Sequence, residues 1–195
     1  MKHYRYMTVL LTIFGFIACH QDNKTTGKTT ATAKYEPLPA YFQGERNRMH
    51  SDSFSLHKTI TLNGVKDTAT ITGADSTALQ DLLKPFSDID LNKPSLRDEY
   101  DTSSLYDPFS GRKSVIYKSK GKQTFPSEVT MELDKNGTIQ QVNIHSYTVN
   151  MVYEFRQDLF YQRNKNIRIA TYQKIAFLAP KEVEVNVAVT PKNRM

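Results

Sequence analysis

The sequence predicts a mainly β protein of the α+β class, in which an antiparallel meander forms a curled sheet or a partly open barrel or sandwich. Three observations predict this. Apolar and polar residues alternate with the period of two expected for half-buried strands through much of the chain after residue 54. Turn signals such as Asn63-Gly64 and Asp134-Lys135-Asn136-Gly137 separate these runs. One amphipathic stretch near 75–84 adds a short helix.

The first two strands are predicted to form a hairpin around Asn63-Gly64. The run 54–62 alternates apolar and polar residues, and both turn residues tolerate the positive φ of a type I′ turn. On this register Leu62 faces Val65. We therefore expect a two-stranded antiparallel pair at the start of the folded domain.

The helix near 75–84 is predicted by its spacing and its ends. Asp75 or Ser76 can cap it, and Pro85 is expected to end it. One helix of about three turns cannot cover five or six long strands. The sheet is therefore expected to curl on itself or to pack against a second sheet. The apolar face of the helix consists of Ala78, Leu79, Leu82 and Leu83.

A change of apolar parity interrupts the later strands. The alternation that reaches Ile139 resumes at Val142 with the opposite parity. One extra residue at Gln140 or Gln141 would account for this, because a β-bulge moves every later side chain to the other face. We predict a bulge there.

Periodicity alone does not decide the structure of 151–162. Met151, Phe155 and Leu159 fit the i, i+4 spacing of a helix as well as the parity of a strand. The valine, tyrosine and phenylalanine content of the stretch favours a strand. We therefore predict a strand here, in a meander that continues to the run of alternating valines 183–189.

The first 19 residues have the order of a secretory signal. Lys2 and Arg5 precede an apolar run without charge, and Ala18 is followed by Cys19. The run 7–18 is about 18 Å long as a helix, against a hydrocarbon core of about 30 Å, so it is too short to serve as a membrane anchor. Cys19 is the only cysteine of the chain. No intramolecular disulfide is possible, and stability must come from an apolar core.

This segment resembles a bacterial lipoprotein signal peptide, with Phe16-Ile17-Ala18-Cys19 in the place of the lipobox. The resemblance implies that residues 1–18 are removed and that Cys19 becomes an N-terminus carrying diacylglycerol and an amide-linked acyl chain such as palmitate. It also implies an envelope lipoprotein held on its membrane. His20 is not the aspartate associated with inner-membrane retention, which favours the outer membrane, on its periplasmic face or at the cell surface. An ordinary cleaved signal is the alternative.

Composition sets the class of the mature protein. Removal of the signal peptide takes away Lys2 and Arg5 of the 26 Lys and Arg residues, and all 20 acidic residues remain. The mature chain therefore has a formal net charge of +4. The charges form no long block of one sign, so we do not expect a nucleic-acid partner. Residues 19–50 begin with a Thr- and Lys-rich stretch and are predicted to be a flexible tether. Residues 51–191 are predicted to form a single β-rich domain.

An acidic, turn-rich stretch at 86–111 contains a weak calcium candidate. Four of its residues occupy the first, third, fifth and twelfth positions of an EF-hand loop. The sixth position, where glycine allows the sharp turn, is Lys93. A solvated acidic loop is the alternative, and so is a different cage that includes Asp98 and Asp101. The four candidate residues are Asp88, Asp90, Asn92 and Glu99.

Aromatic residues in the strands raise the question of a ligand cavity. A curled sheet with one helix could enclose an apolar ligand, but aromatic strand residues also commonly fill a core. We leave both interpretations open here. The aromatic residues concerned are Tyr147, Tyr153, Phe155, Tyr161 and Tyr172.

The sequence carries no recognisable catalytic motif. His57 and His145 lie in predicted strands, and Ser110 lacks the preceding glycine of a nucleophile elbow. We therefore expect a non-enzymatic binding or interaction module that uses no cofactor and meets its membrane through acylated Cys19 and an envelope protein or apolar ligand. The alternative is a carrier or acceptor of an apolar ligand, similar in architecture to lipocalin-like or lipoprotein-localisation proteins.

Overall fold

A computed structural model describes residues 34–51, 54–72, 75–121 and 124–191. The predicted signal peptide, Cys19 and the tether as far as residue 33 lie outside the described residues. The described residues all belong to one unit, 33–195. Its elements in chain order are α1 (Leu38–Ser51), β1 (Phe54–Leu62), β2 (Val65–Thr72), α2 (Ser76–Ser87), β3 (Tyr100–Asp107), β4 (Arg112–Ser119), β5 (Glu128–Leu133), β6 (Ile139–Val149), β7 (Tyr153–Gln162), β8 (Asn166–Ile175) and β9 (Lys181–Pro191).

The nine strands form one open antiparallel sheet in the order β2-β1-β9-β8-β7-β6-β5-β4-β3. Strands β3 to β9 follow the chain order as a meander, and the β1-β2 hairpin joins it where β1 pairs with β9. The two edge strands, β2 and β3, do not meet, so the sheet does not close into a barrel. The prediction of a mainly β, α+β meander is confirmed.

Local backbone geometry explains the hairpin and the bulge. Asn63 and Gly64 have positive φ values of 47° and 87°, as a type I′ turn requires, and Leu62 pairs with Val65. Glu132 pairs with Gln141 while the next residue pairs with Ile139, which leaves Gln140 as the extra residue of the predicted bulge. Both predictions are confirmed, as is the prediction that 151–162 contains a strand, β7.

Helix α2 forms where predicted but extends further than expected. The Asp75 carboxylate accepts a hydrogen bond from Ala78 N at 2.9 Å and caps the helix. The prediction that Pro85 ends the helix is wrong, because the helix continues to Ser87. Phe86 is fully buried, and its packing offsets the hydrogen bond that proline cannot make.

Helix α1 corrects the predicted tether over its last part. Residues 38–50 were expected to be flexible, but they form a helix with one buried face, Leu38, Phe42, Glu45 and Met49. These residues have helical spacing, yet one of them is charged, which hides the apolar face in the sequence. The folded unit therefore begins well before residue 51. Strand β3 is a similar correction, because it lies within the stretch predicted to be turn-rich.

Both helices pack on the same face of the sheet, which we call the helix face. Its side chains form a continuous core with those of the helices, and Phe42 lies with its ring centroid 5.0 Å from that of Phe86 and 5.2 Å from that of Tyr161. The opposite, outer face carries polar and charged side chains such as Arg168 and Glu184. No helix among the described residues is long and apolar enough to cross a bilayer.

Candidate functional site

A buried carboxylate joins α1 to the helix face of the sheet. Glu45 is only 5% exposed and accepts hydrogen bonds from Arg48, at 2.6 Å for the shortest, and from the Tyr161 hydroxyl. Arg163 Nε lies 3.3 Å from Glu45 Oε1, at ion-pair distance but without a hydrogen bond. The network compensates a charge that would otherwise be costly to bury.

The environment shifts the pKa values of this network in opposite directions. Burial acts to raise the pKa of Glu45, but hydrogen bonds from Arg48 and Tyr161 and the two guanidinium charges outweigh it and hold the pKa below its usual range. Burial, together with the neighbouring Tyr41 and Glu45, raises the pKa of the Tyr161 phenol. Glu45 is therefore ionised and Tyr161 neutral at pH 7.

The interior beneath α1 is occupied by protein side chains. Tyr161, one of the five aromatic residues considered for a ligand cavity, is fully buried and contacts Tyr41, Phe42 and Phe86 edge to face. Its hydroxyl is committed to Glu45. Tyr161 is therefore a core residue, which agrees with the core-filling interpretation of the two that the sequence left open.

A groove remains open on the helix face beside α2. It measures about 340 Å³ and lies between one side of α2 and the sheet. The groove continues into an aromatic row, in which Phe125 lies 6.1 Å from Phe155 and Phe155 stacks on Tyr153 at 6.3 Å between centroids. We call this feature the α2 groove. Its lining residues are Asp81, Lys84, Pro85, Asp88, Ile89, Phe125 and Gln157.

An unpartnered hydroxyl lies beside the floor of the α2 groove. Ser146 on β6 pairs across the strands with Gln157, which lines the groove. Its side chain is buried, and its Oγ has no hydrogen-bond partner in the structure. A buried hydroxyl in this state costs about 1–3 kcal/mol. Ser146 lies below the surface of the α2 groove and is not among its lining residues.

The other predicted aromatic residues divide between the two faces. Tyr153 and Phe155 lie on the helix face, as a cavity-lining role requires. Tyr147 and Tyr172 lie on the outer face, where each is directly opposite Arg156 on a neighbouring strand. They therefore neither line an interior cavity nor fill the core, the two interpretations that the sequence left open, because their strand parity points them away from the helices. The Arg156 guanidinium lies 4.7 Å from the Tyr172 ring centroid.

The outer face has a charged hollow centred on the small residue Ala170. The hollow has a volume of about 210 Å³ and includes Arg156, Asp158, Arg168 and Glu184 in its walls. Arg168 pairs with Glu184 at 2.8 Å, and Asp158 pairs with His145 at 2.5 Å. Its charged groups thus largely satisfy one another.

The residues considered for catalysis lie far apart in the fold. His57 on β1 contacts Thr70 at 3.4 Å, whereas His145 contacts Asp158 on β7. Ser110 lies in the β3-β4 turn and donates to Asp107 at 2.5 Å. Among the described residues the structure does not bring Ser110 to either histidine, and the hydroxyl beside His57 is that of Thr70.

The calcium candidates are engaged with protein groups. Asp88 pairs with Lys84, and Asp90 accepts from the backbone of Asn92. Asn92 clamps the start of the described chain, since its Oδ1 accepts from Tyr35 N and its Nδ2 donates to Tyr35 O, both at 3.0 Å. Among the described residues no three histidine, cysteine, aspartate or glutamate side chains are grouped as a metal site would require.

The other members of the wider acidic cage pair with lysines or a hydroxyl. Asp98 lies 2.8 Å from Lys34 and Asp101 lies 3.7 Å from Lys120. Glu99 accepts from the Thr124 hydroxyl at 3.5 Å. The stretch therefore consists of separate local contacts, and its apolar residues Ile89 and Leu91 are buried.

Fold and groove together define an antiparallel open-sheet protein with a solvent-open apolar groove. No family model and no curated protein matches the chain. Among solved structures, the chain is similar to an S-type phycobiliprotein lyase from Guillardia theta, with 9% identity over 83% of this chain and 100% of that one and a TM-score of 0.24. A likeness this low defines neither fold nor activity.

Sequence reasoning missed the groove's main aromatic wall and the buried network. Phe125 follows a turn and precedes Pro126, where no periodic pattern marks it. Glu45 lies among polar residues of α1 and looks solvent-exposed in the sequence. Its spacing from Phe42 and Met49 was the signal available, because 42, 45 and 49 fall on one side of a helix.

Proposed function

We propose that the protein is an envelope lipoprotein, held on the outer membrane through acylated Cys19, whose folded domain is a non-enzymatic binding module. The order of Lys2, the apolar run, Ala18 and Cys19 supports the anchor. The domain supports a binding role because its open α2 groove offers apolar contacts, while its histidines and Ser110 do not converge. Two acyl chains or more hold a protein firmly on a bilayer, so the domain acts beside the membrane.

The α2 groove is the proposed binding surface, and the observation that carries it is an open, largely apolar groove whose aromatic residue, Phe125, lies 6.1 Å from Phe155. Ligand sites combine apolar walls with a few polar groups that fix orientation. The groove is open to solvent and the interior beneath α1 is filled, which suits an apolar segment of an envelope protein. Such a segment would place its side chains against Phe125 and Phe155.

A carrier of an apolar small molecule is the second candidate. The groove's volume of about 340 Å³ falls within the range of about 300–1,000 Å³ typical of ligand pockets. An acyl chain lying along the Phe125 to Tyr153 row would be partly enclosed by α2. The carrier predicts a chain that purifies with bound lipid, whereas the interaction module predicts an empty groove and a protein partner.

Fractionation of cells tests the anchor. We expect Cys19→Ser to move the protein out of the membrane pellet and to abolish its labelling by radioactive palmitate. His20→Ser is the matched control, because it changes the neighbouring residue and leaves the thiol. Membrane retention of the Cys19→Ser protein would refute the proposed anchorage.

Substitutions on the two faces test the groove. A photo-reactive amino acid at Phe155 should cross-link one discrete envelope protein, and the product should disappear when Phe125 is changed to alanine. The matched control carries the photo-reactive residue at Tyr147, on the outer face of the neighbouring strand. Native mass spectrometry of the chain from Cys19 onward distinguishes the carrier, which would show added lipid mass that Phe155→Ala removes. Equal cross-linking from both faces, without bound lipid, would exclude the groove as the site.

A further inference from the structure

Two neighbouring hairpin turns carry apolar side chains into solvent at one end of the sheet. Met151 and Phe177 are 100% and 104% exposed, and the other members are also exposed. The turns lie side by side, since Ala176 N donates to Val152 O at 2.8 Å and Tyr153 pairs with Ile175. We call this set the tip cluster. It consists of Val149, Met151, Val152, Ile175, Phe177 and Leu178.

The backbone at Phe177 indicates that its side chain matters. Phe177 has a φ of 66°, in the left-handed region that glycine and asparagine occupy readily and bulky residues rarely do. The side chain projects from the turn and buries nothing within the described structure. A phenylalanine here therefore costs backbone energy without contributing to the core, which is typical of a residue that meets something outside the fold.

The described chain begins at the same end of the sheet as the tip cluster. In an antiparallel sheet, the start of β3 lies at the end where β6 finishes and β7 starts. Tyr35 is fixed there, because its hydroxyl donates to Arg97 O at 2.8 Å and contacts Tyr100 O at 3.3 Å. The residues from Cys19 to Ala33 span at most about 50 Å when extended. An anchor on Cys19 therefore leaves this end of the sheet within reach of the bilayer.

We propose that the tip cluster inserts into the interfacial region of the lipid bilayer and orients the domain with its strand ends toward the membrane. A lipid surface fits the cluster better than a protein, because its side chains are exposed on two separate turns and Met151 and Phe177 project fully into solvent. Lys174 and Lys181 flank the turns and suit the phosphate region, while Glu154 is paired with Arg156 at 3.4 Å. Apolar side chains of interfacial segments reach about 5–10 Å into a bilayer.

The inference rests on the proposed membrane anchorage, and the test supplies the anchor chemically so that the two can fail separately. The chain from Cys19 onward keeps the whole folded unit and has a single thiol, which can be coupled to maleimide phosphatidylethanolamine in phosphatidylcholine vesicles. The sequence contains no tryptophan, so an introduced one is a unique reporter. Phe177→Trp reports on the tip cluster. Phe109→Trp is the matched control, because Phe109 is 99% exposed in the β3-β4 turn at the opposite end of the sheet.

Brominated acyl chains give the readout. We expect tryptophan fluorescence of the Phe177→Trp chain to fall about twofold when the vesicles contain brominated lipid, since the indole then lies at the depth of the bromines. The Phe109→Trp chain should lose little signal. Quenching at position 177 that is no greater than at position 109 would overturn the proposal and leave a protein as the partner of the tip cluster. Failure of palmitate labelling in cells would refute the anchor without touching this result.

Discussion

The Tyr161 hydroxyl donates a hydrogen bond to the Glu45 carboxylate across 116 residues of sequence. Glu45 belongs to α1 and Tyr161 to β7, so this contact attaches the helix to the middle of the sheet. Arg48 and Arg163 neutralise the carboxylate on its remaining sides. The packing of α1, and with it the filled interior, depends on this buried group.

Removing the carboxylate should destabilise the domain much more than removing the hydroxyl. Glu45→Ala leaves two guanidinium groups without their counter-ion and should lower the free energy of unfolding by about 3–5 kcal/mol. Tyr161→Phe keeps the ring packing and should cost about 1–2 kcal/mol. Glu154→Ala, which removes a partly exposed pair with Arg156, is the control and should cost less than about 1 kcal/mol. Urea denaturation measures all three, and equal losses for Glu45 and Glu154 would contradict a structural role for the network.

The same network should limit stability at both extremes of pH. The pKa of Glu45 is lowered in the folded state, so its contribution is present above the unfolded value of about 4.3 and is lost as pH falls through the lower folded value. The pKa of Tyr161 is raised, so its contribution is present below about 10 and is lost at higher pH. The stability difference between wild type and Glu45→Gln should therefore shrink below about pH 4, and that with Tyr161→Phe above about pH 10. Differences that stay constant from pH 3 to 11 would rule out this linkage.

Replacing glycine by alanine should stabilise the domain at Gly44 and destabilise it at Gly64. Gly44 lies exposed within α1, and a Cβ there meets nothing within 4 Å, so Gly44→Ala should stabilise the domain by about 0.5–1 kcal/mol. A Cβ at Gly64 is equally free of contacts, but the φ of 87° is unfavourable for alanine. Gly64→Ala should therefore destabilise by about 1 kcal/mol. Thermal unfolding of the pair tests this, and a shift of the same sign in both would show that α1 or the turn differs from the structure.

Replacing Ser146 should change the stability of the domain without changing its binding. Ser146→Ala removes a buried hydroxyl without a partner and should raise the free energy of unfolding by about 1 kcal/mol or more. Because Ser146 does not line the α2 groove, the same change should leave capture of a ligand there unchanged. Thr148→Val, on the same strand parity, is the control. A loss of ligand capture in Ser146→Ala that Thr148→Val does not share would show that the binding site extends to Ser146.

Calcium should not change the stability of the domain, whereas loss of the hydrogen bonds from Asn92 to Tyr35 should lower it. Millimolar calcium is expected to leave the melting temperature unchanged, because Asp88 and Asp98 are paired with lysines. Asn92→Ala removes two hydrogen bonds to the Tyr35 backbone and should cost about 1–3 kcal/mol. A calcium-dependent rise in melting temperature that Asn92→Ala abolishes would instead favour a metal site.

Much of the fold followed from alternation and turn chemistry. The Asn63-Gly64 turn, the bulge at Gln140 and the strand at β7 were predictable because each has a local cause in the backbone or in side-chain parity. Helix α1 was not predictable in this way, since its buried face includes a carboxylate whose partners outside the helix come from β7 and from the turn after it. The α2 groove was missed for a related reason, as Phe125 and Gln157 are brought together only by the packing of distant segments.

Tyr35 is held at several points, by both backbone bonds to Asn92, by its hydroxyl on Arg97, and by its ring between Tyr100 and Tyr117. These contacts precede α1 in the chain, so they receive any mechanical tension that a membrane anchor transmits through residue 34. Helix α1 would therefore not bear this tension directly. If Cys19 is acylated as proposed, a pull from a moving bilayer would break the contacts of Tyr35 before it could draw Glu45 from the sheet.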